Sequence, residues 1–229
     1  MVDTLVLSNP GGNGRFHPWP SGFAKDSATM PDAFDPADPA NQAAMAHVKA
    51  LLAHIGDDPQ REGLLDTPKR VVKAMREHFA GYHEDPRSHL ERTFEDVEGY
   101  DELVLVSDIE LHSHCEHHMV PFVGVAHVAY IPSGRVVGLS KLARLVDGYA
   151  HRLQVQEKLT AQIANAIQDV LKPQGVAVIL QCRHFCMCYR GVRKPGATTT
   201  TSKLHGAFMD DASTRLELFT LLGTRLREK

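Results

Sequence analysis

The chain lacks most of the features that mark a specialised class of protein. It has one Trp, four Cys and no apolar run near the ~20 residues a membrane span needs. Its first residues, MVDTLVLSNPGG, carry neither the basic stretch nor the apolar core of a secretory leader. No sign of charge dominates either: 25 Lys and Arg against 28 Asp and Glu leave a net charge of −3, so no basic field points to nucleic acid or an anionic membrane. Four Cys in 229 residues are too sparse for a disulfide framework and fit metal binding or catalysis in a reducing compartment. Together these absences predict a soluble, cytoplasmic protein with neither a nucleic-acid nor a membrane partner.

What the chain has instead is histidine, 14 in all. Four of them, His112, His114, His117 and His118, crowd around Cys115, and Cys182, Cys186 and Cys188 form a second cluster. One metal site is the natural reading.

Residues 1–40 hold six Pro and four Gly with no hydrophobic period, and read as a flexible tail in which Phe16, Trp19 and Phe23 are the oddity. Residues 41–100 read as an N-terminal helical portion. One helix follows Asp38-Pro39, with Met45, Val48, Leu52 and Ile55 at helical spacing, and a second starts at Thr67-Pro68 and ends near Gly81. From about residue 101 the pattern changes, and a second portion of strands and helices runs to residue 229. LVLVSDIE (103–110) and VPFVGVAHVAYIP (120–132) read as strands, and Ser140 as the cap of a helix carrying Leu142, Leu145, Val146 and Tyr149. A longer helix carries Val155 to Leu171. VAVILQC (176–182) and FCMCYRG (185–191) read as a hairpin around Arg183-His184, TTTTS (198–202) as polar and β-prone, and STRLELFTLL as a closing helix. Strands, two helices, strands and a helix in that order predict an α+β fold with a largely antiparallel sheet.

The chemistry sits in His112-Ser-His-Cys115-Glu-His117-His118. Cys115 and His118 have C-x-x-H spacing, which lets a thiolate and an imidazole from one turn meet one ion, and zinc takes both donor types. The remote partner has to come from the second cluster. Alternate residues of a strand share a face, so spacing does not choose among Cys182, Cys186 and Cys188. Four protein donors would mark a structural zinc module, and three a catalytic centre with a position left for water.

CEHHMVPFVG, VAYIPSGRVVGLSKLARLVDGYAHRLQVQEKLTAQIA and HFCMCYRGVRKPGATTTTS, in this order, resemble the GTP cyclohydrolase I family, and DPQREGLLDTPKR (58–70) resembles its N-terminal helical part. The resemblance runs from about residue 41 to the C-terminus. It implies conversion of GTP and water to 7,8-dihydroneopterin triphosphate and formate, the first step of pterin and folate biosynthesis, with one Zn2+ per subunit. It implies Cys115, His118 and Cys186 as zinc ligands, and His117 and His184 as catalytic histidines. His184 would serve the guanine N7 and His117 the ribose oxygen. It further implies Lys141, Arg144, Arg190 and Arg70 at the triphosphate, with Ser140 at the start of the Lys141 helix, and Glu157, assisted by Gln156, at the guanine edge. The implied fold is the tunnelling fold, an antiparallel sheet backed by two long helices. Its implied assembly is a homodecamer of two pentamers with active sites between subunits. A relative acting on another purine or pterin is the rival within enzymes.

Overall fold

In the computed structural model the described residues are 34–95 and 98–226, so Phe16, Trp19, Phe23 and most of the tail lie outside them. The helix α1 (Pro39–His54) starts as the sequence predicts: Asp38 accepts from the backbone N–H groups of Ala40 and Asn41, with Pro39 in the first turn. The helix α2 (Thr67–His78) comes next, and short 3-10 turns at Ala80–His83 and Pro86–Leu90 carry the chain to the sheet. These turns are tied to residues 151 and 152, far along the chain. The Gly81 N–H donates to His151 O at 3.1 Å, and the Arg152 guanidinium donates back to Gly81 O and Glu84 O.

The remaining elements are β1 (Thr93–Phe94), β2 (Val104–Cys115), β3 (Pro121–Ile131), β4 (Val136–Val137), α3 (Leu139–Ala150), β5 (Leu153–Gln154), α4 (Gln156–Leu171), β6 (Gly175–His184), α5 (Phe185–Cys188), β7 (Thr199–Gly206), α6 (Ala207–Asp210) and α7 (Ala212–Leu226). The main sheet has the order β5-β2-β3-β6-β7. Every pairing in it is antiparallel except the brief parallel contact of β5 with β2. The architecture is therefore α+β, as the element order predicts.

Alternation along the strands sorts the core into two layers. On one face Leu111, Phe122, Ala126, Val128, Val178 and Leu180 pack under Leu142, Leu145 and Val146 of α3 and Leu159, Ile163 and Ile167 of α4. These two helices back the sheet. On the other face Ala129, Ala177 and Ile179 meet Phe208 and, from α7, Leu218 and Leu222. At Gly124 of β3 an added Cβ would run into the Gln181 carbonyl and Cys182 Cα of β6, so close strand approach requires a glycine there.

Three sequence expectations are corrected. The first strand extends past residue 110 through Cys115, so the His-rich motif begins on a strand. Ser140 does not cap α3. Gly138 is the N-cap, with extended backbone, its carbonyl accepts from the Lys141 N–H at 2.8 Å, and Ser140 lies one residue inside the helix. Residues 176–191 form no hairpin: β6 runs through Arg183 and His184, and the chain then closes into the helical turn α5. The partner of β6 is the threonine-rich β7, whose β-branched side chains suit an edge strand.

Candidate metal centre and its surroundings

A tight turn shapes the first half of the site. The Cys115 N–H donates to Val120 O at 3.0 Å, and the His118 and Met119 N–H groups donate to Cys115 O at 3.3 and 2.8 Å. Met119 takes a left-handed backbone, φ 52°. Folding back in this way carries His118 Nδ1 and His117 Nδ1 each to 3.7 Å from Cys115 Sγ. The Glu116 N–H donates to Gln154 O, and Lys158 reaches Glu116 at 3.7 Å, which ties the turn to β5 and the start of α4.

The second half comes from α5. Because β6 ends at His184 and the chain turns helical, Cys186 swings to the turn on β2–β3, and the donor atoms of Cys115, His118 and Cys186 all lie within 4.8 Å of one another. Burial pushes the Cys186 thiol up, and the neighbouring Cys115 sulfur pushes it the same way. A cation between the two sulfurs would remove that penalty, since thiolates are the metal-binding form. Two soft sulfurs and an imidazole suit zinc or a similar transition metal. Among the described residues this is the one Cys/His/Asp/Glu group of three or more with such geometry.

The other two cysteines are employed elsewhere. Cys182 is buried in the core layer on β6, and burial pushes its thiol up to about 12. Cys188 donates its S–H to His184 O at 3.2 Å. A four-donor structural module completed by either is therefore not what the geometry offers.

His184 stands at the junction of β6 and α5, stacked on Phe122 with ring centroids 4.6 Å apart. Burial holds its pKa below the usual range, with Glu157 pulling the other way. That places Glu157, an exposed residue in the first turn of α4, within electrostatic reach of His184. Arg190 is exposed and donates to Cys186 O at 3.4 Å, bringing a cation to the rim of the centre. Ser140, Lys141 and Arg144 lie along the first turns of α3, all but the half-buried Lys141 exposed. Arg70 lies apart from these on α2, exposed and paired with Asp66 at 3.2 Å. Gln156, which resemblance puts at the guanine edge, is buried, and its Oε1 lies 2.7 Å from His184 Nε2. Sequence reasoning missed this contact and the Phe122 stack. The unexplained threonine run, which supplies partners of Gln156, was the available signal.

Of the remaining histidines, His114 is buried, its ring 4.7 Å from His78 and 5.0 Å from Phe79. His112 pairs with His151, Nε2 to Nε2, at 3.0 Å.

Fold and site define an α+β protein with a compact thiolate–imidazole centre capable of holding a metal, with His117 beside it and His184 two residues before Cys186. Comparison with known proteins gives the family. The family model for GTP cyclohydrolase I matches residues 44–223. A GTP cyclohydrolase 1 of Brucella suis (strain ATCC 23445 / NCTC 10510) is 55% identical over 186 residues, covering 81% of this chain and 87% of its own. One of Brucella canis matches equally, at 55% over the same shares. Among solved structures an archaeosine synthase QueF-Like in the apo form covers 45% of this chain and 93% of its own at 20% identity, with a TM-score of 0.39, too slight a likeness to characterise the fold. The chain belongs to the GTP cyclohydrolase I family, and is an enzyme of the hydrolase class.

Proposed function

We propose that this protein is a zinc-dependent GTP cyclohydrolase that opens the imidazole ring of GTP, releases formate and yields 7,8-dihydroneopterin triphosphate for pterin biosynthesis. The observation that carries the reading is the convergence of Cys115, His118 and Cys186 from two separate segments, with His117 beside Cys115 and His184 two residues before Cys186. Three protein donors, rather than four, are the pattern of a zinc that does chemistry. Zinc held by these residues supplies Lewis acidity and lets water act as a nucleophile at neutral pH.

The chain's own residues do the rest. Glu157 accepts from guanine N1–H and the exocyclic amine, and it would face adenine's bare N1 with an unpaired charge. Lys141, Arg144 and Arg190 hold the triphosphate, and Arg70 joins them. Ser140 adds its hydroxyl and N–H at the start of α3. His184 and His117 move protons at the guanine N7 and at the ribose oxygen. The sheet is read as a tunnelling fold that closes into a barrel by assembling subunits, as a decamer of two pentamers with residues of neighbouring chains completing each site. Such an enzyme works in the cytoplasm.

Formate release from GTP by the purified chain of known zinc content, repeated after chelation and after zinc return, tests the reading. Zinc-dependent formate together with a fluorescent pterin on oxidation is expected. Cys186→Ser should lose both bound zinc and at least about 10³-fold in rate, since Lewis-acid assistance is worth several kcal/mol. No formate from a fully zinc-loaded, assembled protein would sink the reading.

A further inference from the structure

Gln156 is an odd residue to bury. Its side-chain amide is sunk at the start of α4, and both of its ends are engaged. Nε2 lies 3.2 Å from Leu180 O, 3.0 Å from Thr199 O and 3.0 Å from Thr201 Oγ1. Two of these acceptors are carbonyls, which have no hydrogen to give. Rotating the amide by half a turn would set its oxygen against both carbonyls, so the orientation of this amide is fixed by its partners.

The hydroxyls around it have fixed directions too. Thr160 Oγ1 lies 2.7 Å from Gln156 O and 2.7 Å from Thr201 Oγ1. The carbonyl can only accept, so Thr160 spends its one proton there and must accept from Thr201. Thr201 therefore donates to Thr160, and the two hydrogens of Gln156 Nε2 are shared among Leu180 O, Thr199 O and Thr201 Oγ1. No donor in the network is left to approach Gln156 Oε1 except His184 Nε2, at 2.7 Å. That ring nitrogen must carry the hydrogen. Nδ1 is then the lone-pair nitrogen of the neutral ring, and stacking on Phe122 holds the ring plane.

The geometry points to Gln156 as a positioning residue: anchored by Thr199 and Thr201 of the edge strand β7, it holds His184 in the Nε2–H tautomer, so that His184 exchanges protons with substrate or water only through Nδ1. This deepens, and rests on, the reading of His184 as a proton carrier. It also gives the residues a division of labour that the resemblance leaves blurred, with Glu157 turned to the base and the adjacent Gln156 turned to the histidine. The threonine run 198–201 acquires a purpose beyond strand propensity, because it supplies two of the three acceptors that fix the amide.

The test is the 15N spectrum of histidine-labelled, zinc-loaded, fully assembled protein, with the His184 signals assigned by their loss in His184→Gln. A protonated Nε2 and a bare Nδ1 are expected. An Nδ1–H ring, or fast averaging between the two forms, would overturn the proposal, and this reading needs no other variant to fold. Gln156→Leu should then convert the single tautomer into a mixture and lower kcat about 10- to 100-fold, with KM for GTP moved less than about 2-fold. A raised KM with the tautomer unchanged would instead make Gln156 a base-binding residue and overturn the positioning role. The tautomer is read without turnover. An inactive wild-type protein with His184 in the Nε2–H form therefore counts against the cyclohydrolase reading alone, and an active one in the Nδ1–H form against this inference alone.

Discussion

His151 shows how much a single side chain's surroundings decide. It caps the C-terminus of α3 with its Nε2 3.0 Å from that of His112, and two imidazoles this close share one hydrogen only while at least one of them is neutral. Burial pushes His151 below its ordinary value of 6.5, and His112 and His78 push the same way, while Asp147 and Glu84 resist. The sign of the stability effect is then determined. Below about pH 6.5 the unfolded chain takes up a proton that the folded chain refuses, so this contribution is complete above that value and is lost as pH falls towards the depressed folded one. His114 and His205 are depressed by burial as well and add in the same direction. Melting temperature should therefore fall from pH 7.5 to 5.5, and His151→Gln should flatten that fall while leaving stability at pH 7.5 within about 1 kcal/mol of wild type. Thermal melts of the two proteins across this range check it, and parallel slopes would show that His151 does not titrate on unfolding.

At the scale of the elements, strand contact is set by what the residues leave out. Gly124 faces Cys182 across β3–β6, where a methyl group would meet backbone that cannot move away. Gly124→Ala should cost at least about 1–3 kcal/mol, lowering the melting temperature by about 2–4 °C per kcal/mol. Gly196→Ala, with nothing within 4 Å of its added carbon, should be near neutral. A pair of melts decides it. Equal effects would mean that the strands separate to make room. The same elements explain what sequence could reveal. The helices α1, α2 and α4 were legible because caps, prolines and helical spacing are local signals, and β3 because its apolar run is long. The turn after β6 was not, since FCMCYRG has the composition of a strand. What bends it is tertiary: β7 takes the hydrogen-bonding edge of β6, and Cys186 turns towards Cys115. For the same reason C-x-x-H announced half of the metal centre, while the choice of Cys186 over Cys182 and Cys188 depended on a chain direction that spacing does not encode. The Gln156–His184 contact joins residues 28 apart and left no local trace.

For the whole molecule, the described residues leave the sheet open. β7 forms one edge over Thr199–Gly206, and β5 covers β2 only at His114 and Cys115, so residues 104–113 line the other. A sheet edge with no neighbouring strand invites a further strand, and a closed ring of identical subunits brings the two edges together. The helix α7 adds an apolar argument. While Leu218 and Leu222 are buried against the sheet, Leu216, Phe219 and Leu221 on the same helix are 67%, 46% and 44% exposed. A helix apolar on more than one side has a second surface to cover. Light scattering on the purified chain should therefore give a multiple of 25.3 kDa, and ten-fold if the assembly is the decamer that the family resemblance implies. The double variant Leu216→Glu/Phe219→Glu, which leaves the buried side of α7 intact, should shift the mass to smaller species with an unchanged circular dichroism spectrum. If neighbouring chains complete each site, formate release should fall with the loss of assembly and return at protein concentrations that restore it. A wild-type protein that runs at 25.3 kDa and turns over GTP would refute the shared site and leave the two open edges to be covered within one chain.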